Sequence, residues 1–377
     1  MHRLARALWL IPRCLHPQGP IPRRYSTPSA ASSSVDSQVQ RLLDGVLQGQ
    51  RWALAEAITL VESTRAAKQQ QATALLTLVL AEQQRRLREQ GRDALSLRIG
   101  VSGSPGAGKS TFLECLGSYL ANDERNHKVA CLTIDPSSRI TGGSLLGDKT
   151  RMANLSRNPR AFIRPSPSSG ALGGVTRTTA EAILLCEAAG YDVVFVETVG
   201  SGQNEYVVAD MVDVFVLIVA PGGGDELQAM KRGIMELCDV VVVNKADGDL
   251  LPAARRTQSD YISALKFLQP RSHSQSFPWR PKVVRVSSVT GEGMEKAWST
   301  LEEFRGMALE SGHLEEQRRR QNLLWMWRFV NDHLQDLFRN DPAVQRQAAA
   351  TEHAVLQGTL TPLAGAQVLM EAYYRRK

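Results

Sequence analysis

Several shortages in this 377-residue chain each remove a class of function. Cysteine is scarce: Cys14, Cys115, Cys131, Cys186 and Cys238 lie far apart, with no CxxC and no accompanying histidine cluster. That spacing excludes a disulfide framework and a structural zinc site, and it implies a reducing compartment. Long apolar runs are missing too. Val214–Ala220, one of the longest, suits a buried strand and falls far short of the ~20 residues that span a bilayer. No membrane association is expected. Acidic residues are absent from positions 1–34, which hold Arg3, Arg6, Arg13, Arg23 and Arg24. Removing those five charges from the formal +7 leaves +2, so the basic excess is a property of the N-terminus and gives no support to nucleic-acid binding.

What is present begins with that N-terminus. It is Arg- and Ser-rich, with Leu4, Leu8, Trp9 and Ile11 interspersed and Arg23-Arg24-Tyr25-Ser26 at its end. This pattern predicts a mitochondrial transit peptide over 1–25 and a matrix location, whereas Pro12 breaks the apolar core that a secretory signal needs. A disordered linker is expected over 26–35, followed by an N-terminal helical region over 36–93 in which Val39, Leu42, Leu43, Val46 and Leu47 recur at helical spacing. From 94 to 309 strands alternate with helices, the strands falling at 97–101, 129–134, 192–196, 214–219, 240–243 and 283–286. Runs that are apolar nearly throughout suit central strands covered on both faces, so the fold class is α/β with a mostly parallel sheet. Ligands of such sheets bind beyond the carboxyl ends of the strands.

Polar motifs stand at those ends. Gly103-Ser104-Pro105-Gly106-Ala107-Gly108-Lys109-Ser110 has the form G-x-x-x-x-G-K-S, follows the run Leu97–Val101 and opens an amphipathic helix at Thr111. The glycines permit a tight turn whose N–H groups point inward around a phosphate chain, and the helix N-terminus adds partial positive charge. In this pattern Lys109 reaches the β- and γ-phosphates and the Ser110 hydroxyl binds Mg²⁺. Asp135 ends the second strand and Asp148 lies in a glycine-rich stretch; each either holds Mg²⁺ or a water of its shell, or only caps a turn.

Glu197-Thr198-Val199-Gly200 stands where GTPases carry D-x-x-G, with the acid toward Mg²⁺ and the Gly200 N–H toward the γ-phosphate. The longer glutamate suits contact through a metal-bound water. Gln203 either orients the attacking water or is a surface residue. Asn244-Lys245-Ala246-Asp247 has the form N-K-x-D, in which the carboxylate accepts from the guanine ring N–H and 2-amino group while the lysine stem covers the base. Adenine offers neither donor, so GTP and GDP are expected rather than ATP. Ser287-Ser288-Val289 resembles the S-A-x loop that contacts the guanine carbonyl oxygen.

Further stretches go beyond a generic GTPase: Ala57–Ser63, Gly142–Met152, Ile163–Pro167, Leu172–Thr179, Gly222–Gly233 and Trp325-Met326-Trp327. Over about residues 38–377 they closely resemble the methylmalonic aciduria type A family and its bacterial chaperone relatives, in the metallochaperone-like (SIMIBI-type) class of P-loop GTPases. The resemblance implies a homodimeric GTPase chaperone that gates adenosylcobalamin loading of methylmalonyl-CoA mutase, protects it and exchanges damaged cofactor. Hydrolysis is then slow alone and stimulated by the partner, through which the cobalamin is handled. It also implies that Gly103–Thr111 bind phosphates, that Asp135, Asp148 and Glu197 surround Mg²⁺, and that Asn244, Lys245 and Asp247 read guanine. Gly222–Lys231 is implied to be a third mobile loop from which Lys231 approaches the nucleotide when the mutase binds; by residues alone, Lys231 equally begins a solvated helix. Ser201 and Asn204 depart from the family's Val and Ser. Residues 310–377, basic and helical with an apolar stripe through Trp325 and Trp327, correspond to the family's dimerisation arm.

Three other readings fare worse. A metallochaperone-type GTPase delivering a different cofactor, such as nickel, needs a Cys/His ligand set that the scattered cysteines do not provide. A small-molecule kinase does not need Asn244–Asp247, and a cobalamin carrier needs the D-x-H-x-x-G pattern that this chain lacks.

Overall fold

Seven strands form one sheet in the order β3-β2-β4-β1-β5-β6-β7, every pair parallel where the sequence suggested mostly parallel. They are β1 (Leu97–Gly103), β2 (Val129–Asp135), β3 (Ala161–Pro167), β4 (Val193–Thr198), β5 (Val214–Val219), β6 (Val240–Val243) and β7 (Lys282–Arg285). This computed structural model describes residues 37–63, 65–122, 124–135, 152–167, 172–198, 204–222, 232–267 and 277–375. The transit peptide and linker expected before residue 36, and the candidate residues Asp148, Gly200, Gln203 and Lys231, lie outside the described residues.

One strand escapes the sequence reading. β3 carries Pro165 and Pro167, which pair in register with Thr133 and Asp135 and read in sequence as breakers. Proline lacks the N–H that a central ladder needs, so it is tolerated at the sheet edge, where β3 lies.

The other strands show why their runs are apolar throughout. Along β5, Val214, Val216 and Ile218 enter one core while Phe215, Leu217 and Val219 enter the other. The period of two thus splits each strand between two buried faces. Helices α4 (Lys109–Leu120), α5 (Ala153–Arg157) and α10 (Met294–Glu310) cover the first face. The second is covered by α1 (Ser37–Leu47), α2 (Arg51–Val61), α3 (Ala66–Gln90), α6 (Leu172–Ala188), α7 (Asn204–Ala209), α8 (Arg232–Met235) and α9 (Leu251–Leu265). The short α5 is seated by α4: Glu114 accepts from the Asn154 and Leu155 N–H groups at 2.8 and 3.2 Å, and a Cβ on Gly117 would stand 2.6 Å from a Leu155 methyl.

Charge closes the amino edge of the sheet. α11 (His313–Arg339) runs beneath it, and Arg318 donates to both Asp213 oxygens, at 2.8 and 2.6 Å, and to the Ser96 carbonyl. Asp213 also accepts the Arg98 N–H, while Arg98 forks onto Glu187 at 2.7 and 2.8 Å. Burial alone would raise the Glu187 pKa, but Arg98 and Arg318, with the Ser96 hydroxyl, hold it at about 2. Beyond this anchorage come α12 (Pro342–Leu356) and α13 (Pro362–Tyr374), whose first turns are capped by Asp341 and Thr361. The two tryptophans of α11 part ways: Trp325 is 6% exposed in the second core, whereas Trp327 is 57% exposed, in line with exposed Leu323, Val330, Leu334 and Leu337. Among the described residues no helix is long and apolar enough to cross a membrane.

Candidate nucleotide site

The candidate residues gather at the carboxyl ends of β1, β4 and β6, where the chain leaves β1 for β2 in one direction and crosses from β4 to β5 in the other. The loop between β1 and α4 is shaped by glycines that cannot be replaced. A Cβ on Gly103 would collide with the Ile218 carbonyl oxygen, because the loop leaves the sheet pressed against β5. Gly108 has φ 92°, and a Cβ there would stand 2.5 Å from the Asn244 amide nitrogen.

Lys109 opens α4 and is 8% exposed. Its ammonium folds back on the loop and donates to the Gly103 and Ser104 carbonyls at 2.8 and 3.3 Å. Burial lowers its pKa, and the negative charges of Glu197 and Glu205 push the other way. Glu205 was missed in sequence; it lies in the first turn of α7, is 3% exposed, and acts on Lys109 only because the fold brings α7 back to the loop. No motif rule singles out that position.

Ser110 donates its hydroxyl to Glu197 at 2.8 Å, and Glu197, the penultimate residue of β4, is 7% exposed. Beneath them the Thr198 hydroxyl donates to that of Ser102 at 3.0 Å, fixing the ends of β4 and β1 to each other. Thr133 and Ile134 of β2 pair with Glu197 and Thr198, so the backbone of Asp135 lies one residue further toward the same end. The Asp135 side chain is outside the description.

At the base-reading end, Asn244 is fully buried and its amide is saturated by protein. It donates to the Ala107 and Gly108 carbonyls at 3.1 and 3.3 Å and accepts from the Ser288 N–H and hydroxyl at 3.2 and 2.7 Å. The sequence reading grouped it with Lys245 and Asp247 as a reader of the base. In the structure its side chain also ties the phosphate loop and the Ser287–Val289 loop to its own, links that the sequence reading did not give. Lys245 is exposed and held at φ 55°, a left-handed conformation that non-glycine residues seldom adopt and that concentrates at ligand sites. The Oδ1 of Asp247 is buried with no hydrogen-bond partner among the described residues. Ser287 is buried and accepts the Thr290 N–H, while Val289 is 81% exposed on the loop's outer side.

A parallel sheet of this order, a phosphate loop opening α4, and an N-K-x-D sequence after β6 with an unsatisfied carboxylate define a P-loop GTPase of the metallochaperone-like class. The family model described as "Methylmalonyl Co-A mutase-associated GTPase MeaB" matches residues 54–343. The chain is 52% identical to the mouse (Mus musculus) "Methylmalonic aciduria type A homolog, mitochondrial" over 339 residues, covering 90% of this chain and 80% of the relative. It is 46% identical to a probable GTPase of Mycobacterium bovis, covering 90% of this chain and 97% of that one. Among solved structures, the crystal structure of a LAO/AO transport system kinase superposes with a TM-score of 0.66 at 34% identity, covering 89% of this chain and 97% of that chain. The protein belongs to the MeaB family of methylmalonyl-CoA mutase-associated GTPases.

Proposed function

We propose that this GTPase works as a chaperone of methylmalonyl-CoA mutase in the mitochondrial matrix. It turns GTP over slowly by itself and faster on the mutase, and the cycle gates loading of adenosylcobalamin, protects the mutase and permits exchange of damaged cofactor. The partner assignment is supported by the family and by relatives named as mitochondrial methylmalonic aciduria type A homologues. The sequence of residues 1–25 supports the location. Dimerisation through residues 310–377 is supported by the exposed row Leu323, Trp327, Val330, Leu334 and Leu337, which a single chain leaves in water.

The observation that carries the choice of nucleotide is the buried, unpartnered Oδ1 of Asp247. A buried carboxylate oxygen without a donor is costly, and the guanine ring N–H and 2-amino group are the two donors that satisfy it together. Lys245 covers the base with its stem, and Asn244 holds Ser287–Val289 and the phosphate loop in register for base and phosphates.

At the phosphates, N–H groups of the Gly103–Thr111 loop donate to GTP's oxygens, and the Lys109 ammonium exchanges its carbonyl acceptors for β- and γ-phosphate oxygens. Ser110 and Glu197 present hard oxygens 2.8 Å apart, a donor set that fits Mg²⁺, with Asp135 and Asp148 completing it. When bound, Mg²⁺ neutralises charge on the β- and γ-phosphates. Gln203 orients the attacking water, Gly200 donates to the γ-phosphate, and Lys231 adds positive charge when the mutase is bound.

The test is phosphate release by residues 26–377, with and without mutase, from GTP, ATP and ITP, which lacks the 2-amino group. Stimulation by the mutase confined to GTP, with weaker use of ITP and loss in Lys109→Ala, is the expected pattern. Turnover that ignores saturating mutase, with no complex on a sizing column, would sink the partner assignment and leave the GTP site standing.

A further inference from the structure

α11, the first helix of the C-terminal arm, is bonded along one face to the stretch that follows the E-x-x-G segment. The chain leaves the site at Glu197, forms α7, and re-enters the sheet at β5 through Asp210–Asp213. On that link, Gln317 donates to the Val212 and Asp213 carbonyls at 3.0 and 3.2 Å, and Gln321 to Val212 at 2.7 Å. Trp325 donates its indole N–H to the Asp210 carbonyl at 3.2 Å, and Arg328 its guanidinium to the Asp210 carboxylate at 2.6 Å. Residues 317, 321, 325 and 328 are one stripe of a helix. The row formed by Leu323, Trp327, Val330, Leu334 and Leu337 lies on the face turned to solvent.

The seam is also under-satisfied. Gln317 Oε1, Gln321 Oε1 and Arg328 Nη1 are all buried without a partner among the described residues. Three orphaned polar atoms along one interface are costly in the arrangement seen, and they lower the relative cost of another setting of α11 about the fixed Arg318–Asp213 anchor. α7 and the link are both held against β1: a Cβ on Gly100 would stand 3.0 Å from a methyl of Val208 in α7 and 2.9 Å from one of Val212 in the link. Among the described residues, this short link is where α11 bonds to the segment that leaves the site.

We propose that the seam between α11 and residues 210–213 is a coupling joint, with Trp325 and Arg328 as positioning residues that tie the state of the nucleotide site to the C-terminal arm. The joint rests on the proposed reading that GTP occupies the site and that assembly takes place on the arm. Neither end needs to contact the other, because both bias one element.

Hydrogen exchange of the full chain loaded with GDP or with guanylyl imidodiphosphate tests the joint, with peptides covering 204–213 and 314–330 followed by mass spectrometry. In the wild type, exchange in both peptides is expected to differ between the two nucleotides by at least about fivefold, the lower end of ordinary coupling. In Arg328→Met and in Trp325→Phe, the difference should persist in 204–213 and vanish in 314–330, with affinity for GTP kept within about twofold. The charge swap Asp210→Arg with Arg328→Asp should restore it. A wild-type α11 that exchanges identically in both nucleotide states overturns the joint, as does a response unchanged in both single variants or a folded swap that stays silent. Failure of the functional reading looks different: GTP binding itself is then no tighter than ATP binding, whatever α11 does.

Discussion

At the amino edge of the sheet, Arg318, Arg98, Asp213 and Glu187 bury four charges in a closed set in which each cation meets a carboxylate. At the carboxyl edge, Lys109 is as deeply buried but rests on carbonyl oxygens, forming no salt bridge among the described residues, and Asp247 keeps an oxygen with no donor. The two edges lie in the same sheet and differ in what completes them. A saturated network contributes to stability and to anchoring α11, and it has no capacity left for a ligand. An incomplete one marks where a ligand supplies the missing partners.

Variants sharpen this contrast. The largest effect is expected for Lys109→Ala, which should lower GTP turnover about 100-fold or more by removing a charge from the phosphates. Its melting temperature should hardly move, since among the described residues the ammonium forms no ion pair. Asp247→Ala should reduce the preference for GTP over ATP by about 100-fold or more, and should erase discrimination between GTP and ITP in competition binding. At the other edge, Arg318→Met should cost about 3–5 kcal/mol in denaturant unfolding by leaving Asp213 buried and unpaired, with GTP affinity little changed. A large loss of GTP affinity there, with stability intact, would break the contrast.

Acid acts on the same network. The Glu187 carboxyl sits at about 2 in the fold against an ordinary 4.5, so its contribution is complete above pH 4.5 and is lost as pH falls toward 2. Melting temperature followed across that window should fall in the wild type and fall less steeply in Glu187→Gln. The smallest effect is expected of Glu114→Ala, which uncaps α5 and should cost about 0.5–2 kcal/mol.

Much of this was legible in the chain itself. The phosphate loop declares itself because strand, glycine turn and helix are contiguous, and the five strands that bury both faces announce themselves as apolar runs. β3 was hidden because its prolines signal a break until one knows that it occupies the edge. Glu205 was hidden because its reach to Lys109 depends on the return of α7. Trp325 and Trp327 carry the same side chain two residues apart, and only packing decides that one enters the core and the other faces water.

By itself, then, the sequence determined the local pattern: where the glycine-rich strand-to-helix turn falls, where the N-K-x-D carboxylate stands, and which strands are central. These depend on neighbours along the chain and on the donors and acceptors that each side chain owns. Tertiary structure alone decided that Asn244 ties the phosphate loop to Ser288, that Glu114 caps a helix some forty residues away, and that α11 bonds to the exit of α7. The reason is physical. A hydrogen bond between distant segments has no periodicity or spacing in the sequence, and its partner is chosen only when the sheet has brought both segments to the same edge.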